Sequence, residues 1–241
     1  MYGVATRAAR LSAAMLCLAL LLDAASAVAQ QRRAPTPPPR GLVSGDVWFS
    51  PQVGIEYRID SRWSFHMDAQ LRYDQDLARL RDLQVRPGFE YALSPNWALA
   101  AGYVQWTAYA DRVRPARGPF QDLLYRGRID GWLPVTGRLR MEELFHDDYM
   151  VLVRARTLVG LRLPLDDTWD LALSDEVFVN ANKDRPSRTT GFAQNRLFVG
   201  FGRPITSFAK TSFGYELDTL NNRGTWLNVH NFKVNLLFSL N

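Results

Sequence analysis

From residue 47 onward the chain alternates apolar and polar residues in run after run. In residues 61–73, Trp63, Phe65, Met67, Ala69, Leu71 and Tyr73 are apolar, while Ser64, His66, Asp68, Gln70 and Arg72 between them are polar. Strict alternation puts the two sets on opposite faces of a β-strand. The apolar set is bounded by Trp63 and Tyr73, and about 9–11 tilted strand residues cross a bilayer. The polar set is long-chained and charged, which suits a wet or networked barrel interior better than a plain solvent face.

The same pattern recurs. Val47, Phe49, Val53, Ile55 and Tyr57 oppose Gln52, Glu56 and Arg58; Leu83, Val85, Phe89 and Tyr91 oppose Asp82, Gln84, Arg86 and Glu90. In residues 97–109 the inward set is small (Ala98, Ala100, Gly102), which leaves room for long side chains from other strands. Further runs cover 120–133, 138–145, 149–163, 169–181, 192–203, 208–219 and 226–240. Asp175 falls on an apolar face, so its strand is expected to bulge or to end its lipid-facing part there.

Short connections at 60–61, 94–96, 134–137, 166–167 and 204–207 alternate with longer ones at 74–82, 110–119, 182–190 and 221–225. Outer-membrane barrels have short periplasmic turns and longer external loops. Trp63, Trp97, Trp169 and Phe208 each follow a short connection, as a periplasmic aromatic girdle requires, and Trp226 opens the last run at the other interface. The expected fold is therefore all-β: a transmembrane, antiparallel up-and-down β-barrel. Eleven runs are clear, whereas bacterial single-chain barrels have even strand numbers. The first and last runs point the same way, so a further strand is expected within 41–50, cut off by Pro51. Twelve strands is the expected number; ten is the alternative, with two runs merged or displaced.

The residues before this pattern read differently. Arg7 and Arg10 precede the apolar run 11–22, and small residues fill 24–29. That is a cleaved signal peptide, too short for a spanning helix. Ala27-Val28-Ala29 places cleavage before Gln30, with Ala25-Ser26-Ala27 the alternative. Residues 30–40, QQRRAPTPPPR, read as a flexible Pro/Arg-rich tail, and 41–241 as the barrel. The single cysteine, Cys17, lies in the expected signal peptide. The mature chain then has no disulfide framework, thiolate zinc site or cysteine nucleophile. Leu16 before Cys17 is too bulky for the usual lipoprotein cleavage site. A slightly negative mean hydropathy is compatible with a barrel, which hides its apolar residues in every second position. The net charge of +5 comes from interspersed acidic and basic residues, not from a basic patch, so nucleic acid is not an expected partner.

Charged residues of inward parity recur along the whole chain: Glu56 and Arg58; Asp68 and Arg72; Arg86 and Glu90; Arg126, Arg128 and Asp130. Later runs add Arg138, Arg140 and Glu142, then Arg154 and Arg156, then Glu176, Gln194, Arg196, Glu216 and Asp218. Guanidinium groups pair bidentately with carboxylates, and enclosed charges need such pairing. A structural network filling the lumen is the first expectation; an anion-attracting constriction is the second. His146-Asp147-Asp148 lies at an expected outer turn. A histidine beside carboxylates can act as a general base, so a rim hydrolase is the alternative function, although adjacent Asp residues are also ordinary turn residues. No metal is expected from three scattered histidines, and no phosphate-cradling glycine motif indicates a cofactor. Arg112, Arg114, Arg117, Lys183, Arg185 and Arg188 occupy two expected loops, where they would meet lipopolysaccharide phosphates. Outer-membrane lipids and the barrel assembly machinery are the other expected partners.

Several short motifs carry a family resemblance. Asp175-Glu176-Val177-Phe178-Val179-Asn180, Gln194-Asn195-Arg196-Leu197 and Gly200 resemble the outer-membrane barrel family catalogued as domain of unknown function 2490. Arg138-Leu139-Arg140-Met141-Glu142 is similar to its Arg-x-Arg-x-Glu segment, Arg154-Ala155-Arg156 to its next arginine pair, Gly214-Tyr215 to its late Gly-Tyr, and Trp48 to its early tryptophan. The segment 125–130 lacks the glutamine pair usual after its arginines. The resemblance implies an outer-membrane barrel and no established activity. The expected function is a non-enzymatic outer-membrane protein with a charged, largely occluded lumen, acting as a narrow pore or envelope component. A rim enzyme around His146 and Asp148 comes second, and a soluble periplasmic β-sandwich third.

Overall fold

The computed structural model describes Ser12 and residues 43–240, apart from 76, 110–112, 148, 185–187 and 223. Beyond Ser12, the expected signal peptide at 1–29 and the tail at 30–40 lie outside the described residues. The alternating runs form β1 (Val47–Arg58), β2 (Trp63–Asp74), β3 (Arg79–Ala92), β4 (Trp97–Tyr109), β5 (Val113–Ile129) and β6 (Leu133–His146). They continue as β7 (Tyr149–Pro164), β8 (Asp170–Asn180), β9 (Gly191–Thr206), β10 (Ala209–Asn222) and β11 (Thr225–Leu240). Together they close into one barrel. Sequence neighbours pair antiparallel, and β1 closes on β11 in parallel, from Val47↔His230 to Tyr57↔Leu240.

The described residues thus give eleven strands, not twelve. Pro51 does not cut off a separate strand, because β1 runs through it. Proline has no amide proton to donate to a ladder. The pairing with β2 accordingly skips Ser50 and Pro51, then resumes at Gln52↔Gln70 in the register set by Phe49↔Tyr73. With an odd count, the first and last strands point the same way, and a parallel seam is what closes the ring.

Loop lengths also depart from the expected alternation. β3 starts at Arg79 and β5 at Val113, inside segments expected as loops, and β5 meets β6 across 130–132 instead of 134–137. The one long connection among the described strands is 181–190. Backbone pairing continues past the edge of the apolar face: Gln105 pairs with Arg117 in the same ladder that joins Leu99 to Leu123. Polar outward side chains there imitate a loop in sequence while the main chain remains in the sheet.

Apolar residues of one parity cover the outside, with Leu99, Tyr103, Leu139, Val159, Phe201 and Phe232 exposed. Across the seam, Val53, Ile55, Ala69, Ala209, Phe238 and Leu240 form an apolar cluster. We call the end with connections 59–62, 93–96 and 130–132 the lower end. Aromatic pairs mark both ends: Trp63–Tyr91 at 5.0 Å and Trp97–Tyr125 at 4.9 Å below, Phe192–Trp226 at 5.3 Å above. Trp169 stands against Phe201 and Phe213, and Phe208 stacks on Phe238. Trp132, in the turn before β6 and 54 % exposed, joins Trp63, Trp97, Trp169 and Phe208 in the lower set. Asp175 neither ends β8 nor bulges it; the register shift falls later, between Phe178 and Val179. The carboxylate faces outward and accepts a hydrogen bond from Asn195 Nδ2.

Candidate functional site in the barrel lumen

Inward parity brings most of the expected charges into one interior, and the register decides who meets whom. Glu142 is the hub of the middle level. Its Oε1 accepts from Arg156 Nη1 at 2.6 Å, and its Oε2 from Arg154 Nη2 at 2.6 Å and Nε at 3.1 Å. Arg140 Nη1 stands 3.7 Å from the same carboxylate. Arg156 bridges onward to Glu176 Oε1, through Nη2 at 2.7 Å and Nε at 3.0 Å. Arg138 reaches that oxygen at 2.5 Å from β6, past β7. Arg140 also makes a two-pronged pair with Asp122, both bonds 2.7 Å. Glu142 and Asp122 are nearly inaccessible, as are Arg140 and Arg156. Enclosed charges of this kind persist because each has a partner of opposite sign and a hydrogen bond.

The network continues around the wall. Arg72 pairs with Asp82 at 2.8 Å and Arg86 with Asp68 at 2.5 Å. Gln194 donates to Asp218 at 2.6 Å, with Arg196 Nε 3.5 Å from the same carboxylate. Glu216 accepts from Asn231 Nδ2 at 2.9 Å and from Lys233 Nζ at 2.8 Å. Ser50 on β1 donates to Asn231 Oδ1 at 2.9 Å, which stitches the polar interior across the parallel seam.

Three rings, His66, Phe120 and Phe178, fill part of the remaining section. His66, Gly88, Gly102 and Phe120 form one cross-strand row. A Cβ on Gly102 would sit 2.5 Å from the Phe120 ring, and one on Gly88 2.7 Å from His66 Nε2. The two glycines therefore let both rings lie flat and approach to 6.2 Å. Arg140 stacks over Phe120 at 4.0 Å. Arg156 and Arg196 flank Phe178 at 4.5 and 4.7 Å, a favourable placement of cations on a ring face. Above this level Val104, Leu144 and Leu152 pack with Trp106. They share inward parity with Glu142 and Arg154, so an apolar layer caps the ionic one.

At the upper mouth Asp184, from the long connection, is buried. It takes Arg188 Nε at 2.5 Å and lies 3.5 Å from His146 Nε2. Asp184 is thus a carboxylate beside His146, and Asp148 lies outside the described residues. Among the expected loop cations, Arg117 and Lys183 are exposed and Arg188 is held by Asp184; Arg112 and Arg185 lie outside the described residues.

The lower mouth is different. Arg126 reaches over Ala98 to Glu90 with bonds of 2.6 and 2.7 Å, as the small inward residues of β4 allow. A cavity of about 620 Å³ opens there, lined in part by Glu56, Arg58, Ser64, Glu90 and Arg126. Arg128 is exposed and donates to the Trp132 carbonyl at 3.3 Å. Asp130 is not in the lumen: it is an exposed turn residue with φ 50°, followed by Gly131 at φ 74°. This tight turn between β5 and β6 needs left-handed backbone, which Asp and Gly tolerate.

Asp82 and Lys233, both of inward parity in the sequence, complete the network together with Asp122, Phe120 and Phe178, which were absent from the expected site. Asp122 shares parity with Arg126 two positions at a time, so its charge was legible. Phe120 and Phe178 were not, because an inward aromatic residue looks like a break in the polar face. Among the described residues no group of three or more His, Cys, Asp or Glu could hold a metal ion.

A family model described as "Protein of unknown function (DUF2490)" matches residues 46–229, from just before β1 into β11. No curated protein matches the chain.

Proposed function

The chain belongs to the DUF2490 family, and from that premise we propose that it is an integral outer-membrane barrel, non-enzymatic, with an occluded lumen: an envelope component and not a diffusive channel. The observation that carries this reading is the ion-paired middle level, where Glu142 and Glu176 are shared among Arg138, Arg154 and Arg156. A barrel of this size lies between the eight-stranded kind that side chains fill and the 16–18-stranded porins with aqueous channels, so what fills it decides conduction. The exposed apolar outer face with aromatic residues at both ends supports placement in a bilayer. The lower end is then periplasmic, and exposed Arg117 and Lys183 at the upper end meet lipopolysaccharide phosphates.

The test is current through the purified protein in planar bilayers, alongside heat-modifiable gel mobility in isolated outer membranes. Small or undetectable conductance, with any residual current favouring anions, is the expected result. Large, stable openings in the unmodified protein would sink the occluded-lumen reading. His146→Ala should leave folding and envelope behaviour intact; loss of a hydrolytic activity in that variant would restore the rim-enzyme alternative.

A further inference from the structure

The lower cavity is lined by charges that are only partly paired with one another. Its lining holds three cations, Arg58, Arg62 and Arg126, and three anions, Glu56, Asp60 and Glu90. Four of these six are committed. Arg126 and Glu90 hold each other through two hydrogen bonds. Arg62 donates to Tyr91 Oη at 2.8 Å. Asp60 accepts the backbone amides of Arg62 and Trp63 at 2.7 Å each. Arg58 and Glu56 remain, with no hydrogen bond or ion pair to another described residue. They lie two positions apart on β1, on the same inward face. Strand geometry sets their Cα atoms about 6.6 Å apart.

We propose that this cavity is a binding site for a small dipolar molecule with one carboxylate and one ammonium group, of the size of a dipeptide. Arg58 takes the carboxylate and Glu56 the ammonium. The formal charges of the lining cancel, so neither a polyanion nor a polycation is favoured over a neutral, dipolar ligand. A guanidinium fork matches a carboxylate in two parallel bonds, and an extended residue adds about 3.3–3.6 Å, so one peptide unit separates the two ends on the scale of the two side chains. A volume of about 620 Å³ falls in the range of small-molecule sites. Arg126 and Glu90 pair with each other on the neighbouring wall, and Arg126 also attracts Glu56. The proposal rests on the outer-membrane reading only for the side from which the ligand arrives, the periplasm.

The experiment is isothermal titration of the purified chain, folded in non-ionic maltoside micelles at low salt, with L-alanyl-L-alanine as the probe. Saturable binding is expected. Arg58→Gln and Glu56→Gln should each weaken it roughly tenfold, the loss expected for one charge-assisted pair. The C-terminally amidated probe should lose as much on the unmodified protein and nothing further on Arg58→Gln; the N-acetylated probe should behave likewise with Glu56→Gln. Both residues lie outside the ionic midsection, and heat-modifiable mobility confirms that each variant is folded. Absence of saturable heat with the folded protein overturns the proposal, as does binding that neither substitution changes. Binding is read from heat and occlusion from current, so each reading fails on its own measurement.

Discussion

The middle and the lower mouth of this lumen are built from the same residue types, yet they differ in how completely they are paired. In the middle, Glu142 is 2 % exposed and shared between Arg154 and Arg156. At the mouth, Arg126 has a two-pronged partner and still leaves about half of its side chain exposed, and Arg58 has no partner among the described residues. The difference follows from solvation. A charge sealed beneath an apolar layer must find its counter-charge within the protein, while one at an open mouth can keep its water. The closed level is therefore structural by necessity, and the open level is free to carry binding.

The largest expected effect comes from breaking the closed level. Glu142→Gln leaves Arg154 without its anion and Arg156 with Glu176 alone, and should cost about 3–5 kcal/mol, the usual consequence of orphaning a buried charge. Urea titration followed by gel mobility measures it; a loss no greater than that of a surface substitution would erase the contrast between the two levels.

A paired replacement sharpens the same point. Asp122→Leu and Arg140→Met should each destabilise strongly, whereas the double variant should return to within about 2 kcal/mol of the unmodified barrel, because matched apolar residues remove the desolvation cost of both charges. Additive losses in the double-mutant cycle would mean that Arg140 serves chiefly through its stacking on Phe120.

At the mouth, Glu90→Gln removes the partner of a half-exposed arginine. Solvent screening should limit the loss to about 1 kcal/mol or less, readable in the same titration. A loss as large as that of Glu142→Gln would show that the mouth is sealed in solution.

The smallest effect lies in the turns below it. Backbone amides of Trp63 and Arg62 hold the Asp60 carboxyl below its ordinary value of 3.8. The amide and hydroxyl of Thr168 and the amide of Trp169 do the same for Asp166. A carboxyl depressed in the folded state stabilises it above the unfolded value, and that contribution disappears as pH falls through the folded one. Stability should thus decline slightly below pH 3.8, and Asp60→Asn with Asp166→Asn should flatten that decline. An unchanged acid profile in the double variant would assign it wholly to the lumen.

Much of this is legible in the sequence. Alternation placed Trp63, Phe65 and Met67 outside and Asp68 and Arg72 inside, because a strand sends successive side chains to opposite faces. The same rule put Arg140, Glu142, Arg156 and Glu176 in a common interior. Reading the backbone from side-chain polarity failed at the edges. Pro51 looked like a strand boundary and is not one, since a missing amide leaves the face pattern of β1 intact. Polar Arg117 looked like a loop residue while its main chain pairs with that of Gln105.

By itself, then, the sequence determined which runs form strands and which residues of each run share a face, both of which depend on local periodicity. Tertiary structure alone decided the rest. Arg138 meets Glu176, which is 38 positions away on a strand that is not its neighbour. Arg126 crosses β4 to Glu90, and Asp184 is brought down into the upper mouth. An odd strand count with a parallel seam sets those registers around the whole ring. Periodicity along one strand carries no information about what faces it across the barrel, so only closure could show which charges pair and that Glu56 and Arg58 form no ion pair with another described residue.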